Sequence, residues 1–336
     1  MKNKYSFKFG VIVLSLVLIA CSGGSVDAGC PEIDGREINV VATTPMIGEF
    51  VRNVGGDNIN LTVLMPPEAD PHTYEPAPQD AGTIADADLV FYTGLMYEPS
   101  PLVELLENSV CGSEALAEVG ESVFPIEFKE GGHDDHDEKG HDDHDEEGHD
   151  DHGGHEGHGH GAYDPHFWFD PNRVVYASEF IESKLIELDP SNAASYQAAG
   201  DTYATELSSL TGQVSQLIGS IPSQNRKLIT THESLGYLEA KFGLEVLSTI
   251  IPDLDSSNEI TPAQLVGVID VIEDNNVKVI FIEAEAPSVY AETIVAETGI
   301  KAVEGLWVET LKPGQTYQEF LIAAVELIVE NLSNSD

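Results

Sequence analysis

A tract of histidine and acidic residues divides this 336-residue chain and limits what it can fold into. Between His133 and His160, nine of the 28 residues are histidine, twelve are acidic, and the rest are glycine and one lysine. A segment without apolar residues cannot form a packed core, so we expect residues 131–162 to be a disordered loop. Any globular structure must therefore be built from the sequence on either side of it.

Only three of the twelve histidines lie outside this tract, namely His72, His166 and His232. Two of them end the same phrase, Asp-Pro-His, at 70–72 and 164–166. A single histidine is more often an ordinary hydrogen-bonded residue, but three in such contexts beside a histidine-rich tract favour a transition-metal site. We expect the tract to capture metal as an auxiliary site through its nine histidines: His133, His136, His141, His144, His149, His152, His155, His158 and His160.

The formal net charge of −44 restricts the partners of the chain. Such an acidic protein is repelled by nucleic acid and by anionic lipid surfaces, and it attracts cations. We therefore expect no nucleic-acid partner and no membrane contact beyond a covalent lipid. We also expect the protein to be a monomer. Most of the acidic residues are explained by solubility alone.

The N-terminus has the features of an export signal. Lysines precede a short apolar run, too short to span a bilayer comfortably, so residues 1–20 are predicted to be a signal peptide. The run ends in Leu-Ile-Ala-Cys at 18–21, which resembles a bacterial lipobox, so Cys21 is the predicted lipidation site. Residues 21–35 would then be a lipidated tether. We expect an exported protein anchored on the outer face of the cytoplasmic membrane, in the periplasm or on the cell surface.

Two cysteines remain after lipidation, Cys30 and Cys111. An exported protein can form a disulfide, and this pair has no third candidate. The alternative is two unpaired buried thiols, and the sequence does not decide between them.

Short β-branched runs alternate with amphipathic stretches on both sides of a long helical segment. Strands are predicted at 37–43, 58–65, 88–93, 227–231, 244–250, 277–283 and 300–304, and helices at 46–54, 78–86, 98–109, 171–188, 191–221, 233–242, 262–275, 288–298 and 316–332. This alternation predicts an α/β fold with parallel sheets flanked by helices. We divide it into an N-terminal lobe at 36–190, a linking helix at 191–222 and a C-terminal lobe at 223–336.

Several motifs together resemble the metal-specific solute-binding lipoproteins of bacterial ABC importers, the zinc and manganese cluster. They include the lipobox, Pro-His at 71–72, Asp-Pro-His-Phe-Trp-Phe-Asp-Pro at 164–171, Thr-His at 231–232 and Glu-Ile-Thr-Pro at 259–262. The resemblance covers essentially the whole mature chain, and the histidine-acid tract is similar to an insertion of the zinc branch. It implies two lobes joined by one long rigid helix, with the metal in the cleft between them and an ABC permease as partner.

The resemblance also implies a set of ligands. His72 and His166 would come from the first lobe and His232 from the second, with Glu309 as the acidic fourth ligand in the matching phrase at 306–310. Zinc favours four such ligands in a tetrahedron. The competitors for the fourth position are Glu283, Glu285, Asp70 or water.

The histidine at position 232 favours zinc as the transported ion, because manganese prefers more oxygen donors. A manganese importer, or an importer of another divalent metal, is the first alternative, and a metal-buffering surface adhesin would use the same cleft. A zinc hydrolase is a further alternative. His232-Glu233 starts an H-E-x-x-H phrase, but position 236 is glycine, so its second histidine is missing. We therefore expect a binding protein and not an enzyme.

Overall fold

A computed structural model of the chain describes residues 30, 33, 35–128, 163–252, 259–285 and 288–333. The predicted signal peptide, the lipidation site Cys21, most of the tether and all nine histidines of the tract lie outside the described residues.

The first lobe is built on a four-stranded parallel sheet in the order β2-β1-β3-β4. Its elements are β1 (Ile38–Ala42), α1 (Pro45–Gly55), β2 (Ile59–Val63), α2 (Pro78–Ala85), β3 (Leu89–Tyr92), α3 (Ser100–Ser109), β4 (Leu116–Glu118) and α4 (Pro171–Leu188).

The second lobe repeats this arrangement with a parallel sheet in the order β6-β5-β7-β8. A long helix, α5 (Ala193–Gly219), links the two lobes. The remaining elements are β5 (Lys227–Thr230), α6 (Gly236–Phe242), β6 (Glu245–Thr249), α7 (Pro262–Asn275), β7 (Val279–Glu283), α8 (Ala291–Thr298), β8 (Lys301–Leu306) and α9 (Tyr317–Ser333).

The α/β fold with two parallel-sheet lobes and one long linking helix is confirmed. Helices α4 and α7 have the predicted bounds, 171–188 and 262–275, because each begins with a proline after a capping side chain. Thr261 and Gln264 form a capping box at the start of α7. The short strand β4 was not predicted, since its three residues carry too little pattern to be recognised.

The central strands of both sheets, β1, β3, β5 and β7, are buried on both faces, as is typical of parallel sheets. In β1, Val40 belongs to the central apolar cluster of the molecule, while its neighbour Val41 packs with Val90 and Leu102 on the outer face. The central cluster extends through both lobes, from β1 and α1 across α4 and α5 to β7 and α9.

Helix α5 has 27 residues, which corresponds to a length of about 40 Å. Its buried side chains recur at steps of three and four and face the central cluster; they are Tyr196, Gly200, Tyr203, Leu207, Leu210, Val214 and Ile218. The helix packs against α1 and α4 of the first lobe and against α9 of the second. The linking helix is thus embedded in the shared core of both lobes.

A disulfide joins Cys30 and Cys111, with an S–S distance of 1.99 Å. It connects the start of the described chain to the turn that follows α3. Among the described residues, none of the helices is both long and apolar enough to cross a bilayer.

Candidate metal centre

The two Asp-Pro-His phrases fold into similar short turns in the first lobe. Asp70 accepts a hydrogen bond from the backbone N–H of His72 (3.0 Å) and caps the 3-10 turn Pro71–Thr73. Asp164 accepts the backbone N–H of His166 (2.8 Å), just before the buried 3-10 turn Phe167–Phe169. An aspartate followed by proline stabilises such a turn, because the proline fixes φ and the carboxylate receives the free amide.

The second lobe contributes residues that follow its strands. His232 lies two residues beyond β5, and Glu309 lies three residues beyond β8. Because the carboxyl ends of parallel strands share one edge of the sheet, both side chains reach the cleft between the lobes.

The structure brings His72, His166, His232 and Glu309 together, with one donor atom of each within 4.8 Å of the others. Glu309 Oε1 lies 2.8 Å from His232 Nε2, 3.2 Å from His166 Nε2 and 3.5 Å from His72 Nε2. Ligands about 2.0–2.1 Å from a tetrahedral zinc ion lie about 3.3 Å from each other. The spacing therefore suits four donors around one ion.

The buried imidazole nitrogens of this cluster are also suited to bind a cation. His72 Nε2 and His232 Nε2 are buried and, within the described part of the chain, make no well-oriented hydrogen bond, although Glu309 Oε1 lies 3.5 and 2.8 Å from them. His166 and His232 are fully buried, and the side chain of His72 is 6% exposed. A buried nitrogen that makes no hydrogen bond destabilises the protein unless a ligand such as a metal ion binds it.

Carboxylates fix the orientation of the two fully buried imidazoles. Asp164 Oδ1 lies 2.8 Å from His166 Nδ1, and Glu283 is hydrogen-bonded to His232 Nδ1. The Ser234 hydroxyl donates to Glu283 at 3.1 Å. When Nδ1 carries the proton and donates it to a carboxylate, the Nε2 lone pair is free for a metal.

The same charges shift the pKa values of the cluster. Burial alone would lower the pKa of His166, but the charge of Glu309 and the Asp164 hydrogen bond outweigh it and raise the pKa to about 9. Burial also opposes charge on His232, but Glu283 raises its pKa well above the usual range. Burial would raise the pKa of Glu309, whereas the His166 and His72 charges hold it well below its ordinary value. The cluster without metal therefore retains protons that an ion must displace.

The second oxygen of Glu309 is held by the other lobe. Tyr97, buried in the loop after β3, donates its hydroxyl hydrogen to Glu309 Oε2 at 2.9 Å. The adjacent backbone is also held across the lobes, since Trp168 Nε1 donates to the carbonyl of Val308 at 2.8 Å. Sequence reasoning did not identify Tyr97, because nothing in the pattern around it indicates a partner 212 positions away.

The competing acids occupy other roles. Glu283 is hydrogen-bonded to Nδ1 of His232, on the side of the ring opposite the cluster, and Asp70 holds the backbone of His72. Glu285 accepts backbone N–H groups of residues 308–310. Burial, followed by the charge of Glu309, raises the pKa of Glu285 to about 7.

A comparison with protein families gives one match that covers most of the chain. The sequence profile of the family described as "ZnuA: Zinc-uptake complex component A periplasmic" matches residues 40–331.

Individual relatives differ in the metal that their names state. The manganese-binding lipoprotein MntA of Halalkalibacterium halodurans is 24% identical, over 98% of this chain and 99% of its own. The high-affinity zinc uptake system protein ZnuA of Bacillus subtilis is 29% identical, over 99% of both chains. The periplasmic zinc-binding protein TroA from Treponema pallidum has a similar fold, with a TM-score of 0.73 at 22% identity over 89% of this chain and 100% of its own. The choice of metal therefore has to be argued from the site itself.

Proposed function

This chain belongs to the ZnuA family and is a substrate-binding protein of a metal ABC transporter, and we propose that its cargo is Zn²⁺. The observation that carries this proposal is the convergence of three buried imidazole nitrogens on one carboxylate oxygen. We assign His72, His166, His232 and Glu309 as the four ligands. Glu283, Glu285 and Asp70 are assigned as supporting residues.

The donor set favours zinc over manganese. Imidazole nitrogen suits zinc, whereas manganese prefers sites that are rich in carboxylate, carbonyl and water oxygens. Three nitrogens and one oxygen in a buried cluster match a closed tetrahedral zinc site.

The hydrogen bond from Tyr97 adds a second argument for zinc. Because Glu309 Oε2 receives this bond, Oε1 alone faces the imidazoles. A carboxylate that offers only one oxygen gives the ion four donors in total. Manganese prefers sites with additional oxygen donors. Tyr97 and Glu309 lie in different lobes, so the bond also holds the cleft closed around the ion.

Release of zinc requires the lobes to separate, since each lobe supplies two of the four ligands. We propose that residues 36–190 and 223–336 move as two bodies when the protein docks on its permease. The long helix α5 and the apolar cluster shared by both lobes oppose a wide hinge motion. The displacement is therefore small.

Two segments outside the described residues complete the proposal, one before the first lobe and one inserted within it. A lipid on Cys21 keeps the protein beside its permease on the outer face of the cytoplasmic membrane, and the nine histidines at 133–160 raise the local zinc concentration.

A zinc hydrolase would need an open coordination position for water and a general base beside it. Here the fourth position faces Glu309; His166, His232 and Glu309 are buried, and the His72 side chain is only 6% exposed. This closed arrangement supports a binding protein.

Metal competition on the purified full chain tests the proposal. To isolate the cleft, the nine histidines of the tract are replaced by glutamine. We expect one tightly bound zinc ion per chain and a much weaker affinity for manganese, measured by chelator competition. A chain that binds manganese more tightly than zinc, or binds neither, contradicts it. Zinc-dependent growth of a deletion strain separates an importer from a metal-buffering adhesin, because only the loss of an importer reduces uptake.

A further inference from the structure

The carboxylate of Glu285 accepts hydrogen bonds from three successive backbone amides. Its Oε1 accepts the N–H groups of Val308 (3.1 Å), Glu309 (3.0 Å) and Thr310 (3.3 Å), and Val308 also lies 3.3 Å from Oε2. All three residues that donate are buried, with at most 1% of their surface exposed. Successive amides directed at one point form an anion-binding concavity, and a side-chain carboxylate of the chain itself fills it.

These amides need this acceptor because the sheet ends just before them. The last bond of the β7–β8 ladder runs from Ala284 N–H to the carbonyl of Leu306, at 2.8 Å. Beyond Leu306 the chain separates from β7. The buried N–H groups of residues 308–310 would then destabilise the fold if they had no acceptor. Glu285 replaces the missing strand partner, and the segment it fixes is the one that presents Glu309.

The end of β7 thereby serves both donors of the second lobe. Glu283 is the last residue of β7, and Glu285 lies two residues beyond it, where the chain has left the strand. Glu283 fixes the His232 ring, while Glu285 fixes the backbone of Glu309.

We propose that Glu285 is a positioning residue for the metal site, which sets the backbone of residues 308–310 so that Glu309 Oε1 meets the three imidazoles. This inference rests on the proposed function, since it concerns the geometry of that same site. Glu285 is not one of the four clustered donors, and its Oε1 accepts the three amides instead.

The test compares Glu285→Ala, Glu285→Gln and the control Glu304→Ala in the full chain with the tract histidines replaced by glutamine. Glu304 is an exposed acid on β8, so its removal controls for the loss of one negative charge. Zinc affinity is measured by chelator competition, and the absorption spectrum of bound Co²⁺ reports the coordination geometry. Each variant is also made in a Glu309→Ala background.

We expect Glu285→Ala to weaken zinc binding by about tenfold to a hundredfold and to alter the Co²⁺ spectrum. Glu285→Gln is expected to lose less, because its amide oxygen still accepts hydrogen bonds, and Glu304→Ala should match the parent. In the Glu309→Ala background, Glu285→Ala should cause no further loss, because its effect passes through Glu309.

Three results would overturn the inference: parent-like affinity and spectrum for Glu285→Ala, an equal loss in the Glu309→Ala background, or a parallel loss for Glu304→Ala. If Glu285→Ala gives no cooperative melting transition, it has not folded. The nearly isosteric Glu285→Gln is then compared with its parent, with and without Glu309→Ala, and the same results overturn the inference. Failure of the proposed function is distinguishable, because there the parent chain itself binds no zinc tightly, or Glu309→Ala binds it as the parent does.

Discussion

The two lobes share one strand order, yet they hold their ligands in different ways. In the first lobe, His72 and His166 are each fixed by an aspartate two residues earlier in the same Asp-Pro-His phrase. In the second lobe, His232 and Glu309 are fixed by Glu283 and Glu285, which lie 51 and 24 positions away from them. The first lobe uses local turns, and the second uses the end of a neighbouring strand.

This difference shows two ways to make a rigid metal site. A local turn forms wherever its short sequence is present, and it requires little from the rest of the fold. Support from a neighbouring strand exists only after the sheet has formed, so second-lobe geometry depends on the register of β5, β7 and β8. Both lobes must also dock correctly before the four donors meet.

Removal of a ligand is expected to cause the largest loss of zinc affinity. It also tests whether the two lobes contribute equally to zinc binding. His72→Ala, His166→Ala and His232→Ala should each weaken zinc binding by more than the roughly hundredfold typical of supporting residues, because each removes a direct donor. Isothermal titration in the background without tract histidines measures this. If one of these variants binds zinc like its parent, the four-ligand site is wrong and that histidine is not a ligand.

Removal of a supporting carboxylate should cause a smaller loss of zinc affinity, and the size of the loss should differ between positions. We expect Glu283→Gln and Asp164→Asn to weaken zinc binding by about tenfold to a hundredfold, since each orients an imidazole ring. Asp70→Asn should cost less than tenfold, because Asp70 holds the backbone of His72 and leaves its ring free. Chelator competition on the three variants ranks them. A larger loss for Asp70→Asn than for Glu283→Gln would reverse our account of local and distant support.

The pH dependence compares one imidazole from each lobe. The pKa of His166 is raised to about 9 and that of His232 is well above its usual range, so zinc must displace protons from both below these values. These protons stabilise the metal-free protein fully below about pH 6.5, and that contribution is lost as pH rises through about 9. Zinc affinity should therefore rise steadily from pH 6 to 9.

Calorimetry in buffers of different ionisation enthalpy counts the released protons at each pH. Asp164→Asn should reduce the release from the first lobe alone, and Glu283→Gln that from the second. An affinity that is the same at neutral pH and at about pH 5 would contradict a site made of imidazoles.

The disulfide should have the smallest effect on metal binding. It ties Cys30 of the tether to the turn after α3, which holds none of the four donors, and closes a loop with a sequence separation of 81. Cys30→Ser with Cys111→Ser should lower the free energy of unfolding by about 2–4 kcal/mol and leave zinc affinity unchanged. Denaturant unfolding measures the first quantity and chelator competition the second. A loss of zinc affinity would show that the first lobe needs the bridge to present His72 and His166.

The sequence by itself determined the class of the fold and singled out the three histidines that cluster with Glu309. Alternation of β-branched and amphipathic stretches predicts parallel sheets, because hydrophobic periodicity is a local property. The two Asp-Pro-His phrases also act locally, because each forms a short turn from its own residues. The three histidines could be identified as candidate ligands because no other histidine lies outside the tract.

The tertiary structure alone decided what surrounds these donors. The sequence left Glu309 in competition with Glu283, Glu285 and Asp70, and an acid on a loop carries no local sign of its partner. The contact between Tyr97 and Glu309 joins residues 212 positions apart in different lobes. Such contacts arise from strand register and lobe docking, which are cooperative properties of the whole chain that no short stretch of sequence encodes.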